Sequence, residues 1–469
     1  MPGADGDLIF AGPEALATRV RAGEIHPREL VEACLRRIEA LDPQLNAFRT
    51  TTAEQALAAA DGAPTDGPLA GVPVAVKGDT PLAGESTTRG SSSYGPPASA
   101  DAEVVRRLRD AGAIPIGVTN VPELTIFPWT ASDATGVTRN PWNPARTPGG
   151  SSGGSGAAVA AGMVPFATGS DGGGSIRIPA SCCGLVGMKP TRGRVSKMPD
   201  AEHWLGLSTY GPLARTVADS ALMLDAMHGT IEGDLHRATP FEGSYREAAA
   251  APPGRLRIAV SKKVPPGLIA PLSSDQRDAW ERTGRLLSQL GHEIVERDPA
   301  YGMVAIEFTQ TWLRGIYEDT LQVPDPSRLE RPTRQMAAIG RRLVPERRAR
   351  KLREQRARTT ARILSLWDEA DVLLTPGLAS TPIAAEGGYR TNAFVAFNRA
   401  GRFTPWTPFA NVTGQPAVTI PAGFAADGLP LSVQLVGRIG AEAMLYSLAG
   451  QLEQAAPWAD RRPPGTDTS

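Results

Sequence analysis

The chain has 469 residues, a formal net charge of +0 and 41% hydrophobic residues, enough to bury one large core or a few smaller ones. A balanced charge gives no field to attract nucleic acid or an anionic membrane surface, and no apolar run approaches the roughly 20 residues that span a bilayer. The start, MPGADGDLIF, lacks the basic-then-apolar profile of a secretion signal, so a soluble, cytoplasmic protein is expected.

Taken in chain order, the first predicted element is an amphipathic helix from Pro13 to Leu41, with Leu16, Val20, Leu30, Val31, Cys34, Leu35 and Ile38 on its apolar side. A Gly/Pro/Asp-rich loop, Asp61 to Pro68, precedes a strand from Val72 to Lys77. A helix from Asp101 to Ala111 and a strand from Ile114 to Val118 follow, and this alternation points to α/β architecture. Arg139 to Gly156 is Pro- and Gly-rich loop, leading through a small-residue helix, Ser155 to Ala161, into a strand from Val164 to Gly169. Further on come a helix over Val217 to His228, and strands at Leu256 to Val260 and His292 to Val295 around the helix Ser274 to Leu290. The last elements are strands at Val372 to Thr375, Ala417 to Pro421 and Leu431 to Leu435, and a helix from Glu442 to Gln454. Strands contributed from both ends favour one interleaved domain.

Arginine crowds the segment from Glu330 to Arg362, but Glu346 and Glu354 are interspersed and no aromatic interleaving supports base stacking, so a structural, solvated helix is expected. Cys34, Cys182 and Cys183 form neither a disulfide framework nor a zinc spacing and read as small buried residues. The histidines, His26, His203, His228, His236 and His292, make no paired-ligand pattern, so no metal is expected.

Against this arginine bias, Lys77 stands out at the end of GVPVAVKG. Arginine keeps its proton in proteins, whereas lysine can be pushed toward neutrality by desolvation and act as a base. Alternation puts Val72, Val74 and Val76 on one face and Pro73, Ala75 and Lys77 on the other. A lysine snorkelling from the strand end, or paired with Asp79, is an equal alternative on the residues alone.

Two glycine-framed serine segments follow, GGSSGGSG from Gly149 and SDGGGSIRIP from Ser170. The first formally satisfies GxSxG, but NPWNPARTP before it cannot be the strand a nucleophile elbow requires. A dinucleotide fingerprint lacks its third glycine and its strand, and no P-loop motif exists. An acyl-transfer site fits better: Ser175 lies where a helix can begin, with the N–H groups of Gly172, Gly173, Gly174 and Ser175 available to an oxyanion. No histidine is placed to activate that serine; Lys77, if neutral, could supply the base.

With GVPVAVKGD at Gly71, TPGGSSGGSGAAVAAG at Thr147, ATGSDGGGSIRIPASCCGLVGMKPTRGRVS at Ala167, YGPLARTVADSALMLDAM at Tyr210, PFANVTGQPAVTIPAG at Pro408 and GLPLSVQLVG at Gly428, the chain resembles the amidase signature hydrolases over nearly its whole length. In PWTASDATGVTRNPW it is similar to stand-alone, actinobacterial-type members. The resemblance implies a single compact α/β domain over 1–469 with a large twisted mixed sheet of about 11 strands covered by helices on both faces. Its signature core would span about 65–215, with a helical N-terminal segment, 10–60, packed on it.

For the site, the resemblance implies a triad in which Ser175 attacks, Ser151 bridges after a cis Gly150–Ser151 bond, and Lys77 is the base; the family's spacing of 24 positions between the serines is kept. It further implies that Gly172, Gly173 and Gly174 form the oxyanion loop, that Asp171 and Arg177 pair to fix it, that Ser152 supports it, and that Thr125 lines the acyl pocket. SDGGGS departs from the commoner TDTGGS, and Gly78 stands where Asp usually follows the lysine. The expected reaction is hydrolysis of a small-molecule amide through an acyl-enzyme, with no cofactor, no nucleic-acid or membrane partner, and a homodimer left open.

Three other functions remain at this level: a glutaminase subunit of a tRNA-dependent amidotransferase, an esterase-type hydrolase, and a silent binding protein. The first usually carries an Asp-Gln pair before Gly-Pro, absent from Ser208-Thr209-Tyr210-Gly211-Pro212, and the last should lack a triad member. Phe127, Trp129, Trp204, Phe308, Trp312 and Trp406 are candidate pocket aromatics, with core packing as the alternative for each. An apolar pocket would favour aryl or fatty acyl amides, a polar one short amides or ω-amino oligoamides.

Overall fold

The structure, a computed structural model, describes residues 2–466, so residue 1 and residues 467–469 of the expected domain lie outside the described residues. Its strands in chain order are β1 (Phe48–Thr51), β2 (Pro73–Lys77), β3 (Ile114–Thr119), β4 (Ala131–Ser132), β5 (Gly136–Val137), β6 (Phe166–Asp171), β7 (Val186–Lys189), β8 (Thr209–Ala214), β9 (Arg257–Val260), β10 (Glu293–Glu296), β11 (Val372–Pro376), β12 (Ala417–Phe424) and β13 (Pro430–Val436). All but β4 and β5, a separate ribbon, join one 11-stranded sheet in the order β1-β3-β2-β6-β8-β7-β12-β13-β11-β9-β10. It is mixed: β3, β2 and β6 run parallel, as do β11, β9 and β10, and the strands between pair antiparallel.

The central strands are apolar and covered on both faces, as expected for strands buried between helical layers. Val74 and Val76 of β2 pack into a core shared with the helices Glu103–Asp110, Val217–Met227 and Glu442–Ala455. Ala75 faces the opposite layer, formed by Pro27–Leu45, Gly153–Ala160 and Arg177–Cys183. Period-two alternation therefore carries Lys77 to the face that holds both serine segments.

Several elements differ from expectation. The N-terminal helix is interrupted: Pro13–Arg21 and Pro27–Leu45 are separate, because Gly23 turns at φ +71° and His26 caps the second helix, its Nδ1 accepting from Arg28 N–H at 3.2 Å, with Pro27 in the first turn. The strand expected at Val164 to Gly169 begins and ends two residues later, so Asp171 closes β6 instead of opening the loop. Strands β1, β7 and β8 were not anticipated; β8 contains Gly211 and Pro212, which suppress a strand reading yet fit here against β6.

The arginine-rich segment forms the helices Arg331–Leu343 and Glu346–Leu364. They bury Met336, Ala337, Ala349, Leu352 and Ile363, and Arg356 is itself buried, donating to Leu205 O. With Val304–Leu321 they build a third core over Ala259, Leu373 and Val436 of the sheet. No helix among the described residues is long and apolar enough to cross a membrane, and none of their His, Cys, Asp or Glu side chains gather in a group of three or more that could hold a metal ion. All three cysteines are buried.

Candidate active site

Lys77 ends β2 with its side chain fully buried, and its N–H donates to Thr168 Oγ1 of β6 at 2.9 Å. Its Nζ donates to Ser151 Oγ at 2.8 Å, to Ser170 Oγ at 2.7 Å and to Ser170 O at 3.3 Å. Asp79 Oδ2 lies 3.1 Å from the same nitrogen and accepts from Ser170 Oγ in a short contact. Burial pushes the Lys77 amine below its ordinary range, against the opposing pull of Asp79. Burial alone would raise Asp79, but the Lys77 and Lys197 ammoniums hold its carboxyl well below the usual carboxylate range.

Ser151 follows a cis Gly150–Ser151 peptide. Glycine is required before it by close approach: a Cβ on Gly150 would sit 2.6 Å from Phe127 O and from the N and O of Trp129. Thr130 Oγ1 holds the turn by donating to Gly149 O at 2.9 Å. Ser152 N–H donates to Ser175 O at 3.2 Å and Ser152 Oγ to Ser170 O at 3.4 Å, tying the two serine segments together. No hydrogen bond joins Ser151 Oγ directly to Ser175 Oγ among the described residues.

Asp171 and Arg177 form a fully buried bidentate pair, Nε to Oδ2 and Nη2 to Oδ1, both at 2.9 Å. One expectation needs correction here: Gly174 N–H is not free for an oxyanion, because it donates to Asp171 Oδ1 at 2.6 Å. The reason is geometric, since Gly174 at φ +128° turns its amide back toward the carboxylate at the end of β6. Gly172, Gly173 and Ser175 N–H keep no hydrogen bond among the described residues.

Ser175 is 9% exposed and stands at the wall of an open cleft. Thr125, at φ +60°, lines the same cleft. So do Phe127, Trp204, Phe308 and Trp312, joined by Leu268, Phe397 and Phe409, which were not foreseen; no lining residue is charged. Trp129 and Trp406 are instead core residues, fully buried, the first stacked on Phe127 at 4.7 Å and the second donating to Lys263 O at 3.0 Å.

The comparisons with known proteins follow the same lines. The Amidase family model matches residues 29–446. The chain belongs to the amidase signature family. Putative amidase AmiB2 of Mycobacterium tuberculosis is 47% identical over 464 residues, covering 97% of this chain and 98% of that protein. The 6-aminohexanoate-cyclic-dimer hydrolase of Paenarthrobacter ureafaciens is 36% identical over 492 residues, covering 97% of each. A solved structure of 6-aminohexanoate cyclic dimer hydrolase complexed with substrate superposes with a TM-score of 0.88 at 32% identity, over 97% of this chain and 99% of that one. This member of the family is accordingly an amide-hydrolysing enzyme.

Sequence reasoning passed over Ser170, which Lys77 touches, and Asn411, Gln434 and Thr407, which surround Arg177. A signal for the first was present: Thr168 and Ser170 alternate as polar residues on one face of β6. The others lie more than 200 positions away from Arg177, beyond the reach of any local pattern.

Proposed function

We propose that the enzyme hydrolyses neutral carboxamides bearing an aryl or alkyl acyl group, with Ser175 as nucleophile, Ser151 as proton relay and Lys77 as base. The observation that carries this reading is the buried Lys77 amine 2.8 Å from Ser151 Oγ, beside a serine that faces an uncharged apolar cleft. Neutral Lys77 takes the Ser151 proton while Ser151 takes that of Ser175, whose oxygen attacks the amide carbonyl. The free amides of Gly172, Gly173 and Ser175 stabilise the oxyanion, each donor contributing about 2.7–4 kcal/mol where such donors have been removed. The proton returns through Ser151 to the leaving amine, and water then hydrolyses the acyl-enzyme.

Cleft chemistry selects the substrate. Free glutamine carries an ammonium and a carboxylate, and burying either without a partner is costly; the lining offers no charged side chain to either. A ring of amides linked by methylene chains, such as the 6-aminohexanoate cyclic dimer, carries no such charge. We therefore expect kcat/KM for straight-chain amides to rise about fourfold per added methylene, the ~0.8 kcal/mol of one buried CH2, until the cleft is filled. Ammonia or amine release across acetamide to octanamide, benzamide, the cyclic dimer and glutamine, with intact-mass detection of the acyl-enzyme, measures this. Faster turnover of glutamine or acetamide than of hexanamide would refute the substrate class.

A further inference from the structure

Near Lys77 stands a half-buried lysine, Lys197, that the reaction does not use. Lys197 Nζ lies 3.5 Å from the centroid of the Tyr210 ring, on the strand β8 that pairs with β6. No carboxylate is within ion-pair distance of it among the described residues. Asp79 contacts Lys77 directly and feels the field of Lys197. One half-buried carboxylate, in contact with Lys77, thus acts on two lysines.

We propose that Asp79 and Lys197 are an opposed pair of positioning residues that sets the pH at which Lys77 sheds its proton. The inference rests on Lys77 being the base. Asp79 orients the amine: directly, and through Ser170 Oγ, which accepts from Lys77 and donates to Asp79, so that Nζ is aimed at Ser151. That carboxylate favours the charged form of Lys77, against burial, which favours the neutral one. Lys197, a cation over the electron-rich face of Tyr210 with no ion-paired carboxylate of its own among the described residues, adds to burial in opposing that anion. Burial pushes the Lys197 amine down to about 8, against the opposing pull of Asp79 and Asp200.

The charges that reach the cluster come from several elements. Lys77 faces Asp79, Lys197 and, from β6, Asp171. Asp79 faces Lys77 and Lys197, with Ser170 bonded to it, and it also acts on Arg89 and on the Tyr210 phenol, which burial keeps neutral. Lys197 faces Asp79, Asp200, Arg89 and Asp319. Arg89 is drawn off by its own ion pairs to Asp200 at 3.2 Å and Asp319 at 3.5 Å, which leaves Lys197 as the cation that balances Asp79.

Turnover requires neutral Lys77, so kcat/KM climbs with pH as the amine loses its proton. Removing an anion makes the proton easier to lose, and removing a cation makes it harder. The test is the acidic limb of the kcat/KM profile on hexanamide. Asp79→Asn should move its midpoint to lower pH by about one unit or more, and Lys197→Met should move it to higher pH, while Lys197→Arg, which keeps the charge, leaves it in place. A merely structural role lowers the plateau without moving the midpoint. Unmoved midpoints, or shifts of the same sign in Asp79→Asn and Lys197→Met, overturn the inference. If those results come with an inactive Lys77→Arg, the inference alone fails; an active Lys77→Arg instead removes the base reading beneath it.

Discussion

Lys77→Arg is expected to lower kcat/KM by at least about 10²- to 10⁴-fold, the range attributed to a positioned acid–base group, even though it preserves the positive charge. The argument turns on what the nitrogen must do. In the folded protein it donates to two hydroxyls and a carbonyl from a fully buried position, and a group that only oriented those hydroxyls could be replaced by another donor. A base must also give up its own proton, which a guanidinium does not do in a protein. Lys77→Met should be equally impaired, and Ser175→Ala should abolish both turnover and labelling by a fluorophosphonate with the fold intact. Steady-state rates and intact mass read all three. Activity in Lys77→Arg within tenfold of the parent would exclude proton abstraction by this residue.

How far the chain could be read without coordinates depended on whether the determining contacts were local. Strand β2 was legible because five consecutive residues, PVAVK, are buried and alternate correctly, so the face on which Lys77 emerges followed from counting by two. The glycine-rich segments were legible because their glycines have close-approach reasons, as at Gly150. Strands β7 and β8 escaped because their order in the sheet comes from long-range pairing, β8 with β6 and β7 with β12, and no local propensity predicts a Gly-Pro strand. The fate of Gly174 escaped for a related reason. Whether an amide points at a substrate or at its own loop depends on local backbone dihedrals, and composition carries no sign of them. Among the aromatics, Phe127 and Trp129 alternate in sequence yet one lines the cleft and the other is core, a distinction made by neighbours from far along the chain.

Asp171→Asn should destabilise the protein by about 3–5 kcal/mol, the usual result of breaking a buried ion pair from one side, and should reduce activity further than the folded fraction explains. The carboxylate accepts from Gly174 N–H, Ile176 N–H, Asn411 Nδ2 and twice from Arg177. An amide in its place presents a donor to one set of these donors. Arg177 would then be left charged at 0% exposure without a carboxylate, bonded to Thr407 O, Gln434 Oε1, Asn411 Oδ1 and at most the one remaining amide oxygen. Arg177→Lys should fare little better, because an ammonium has three donors where the guanidinium uses five, in a fork that lysine cannot reproduce. The same pair fixes a pH dependence. Burial would raise Asp171, but Arg177 holds it below the carboxylate range, against an unfolded value of about 3.9. A depressed folded value means the contribution is complete above about pH 5 and is lost as pH falls through about 4 and below. Apparent unfolding midpoints in urea between pH 3 and 7 should therefore fall toward acid in the parent and flatten in Asp171→Asn. Equal slopes in the two proteins would show that the pair contributes nothing of the kind, and that the oxyanion loop is held by its backbone alone.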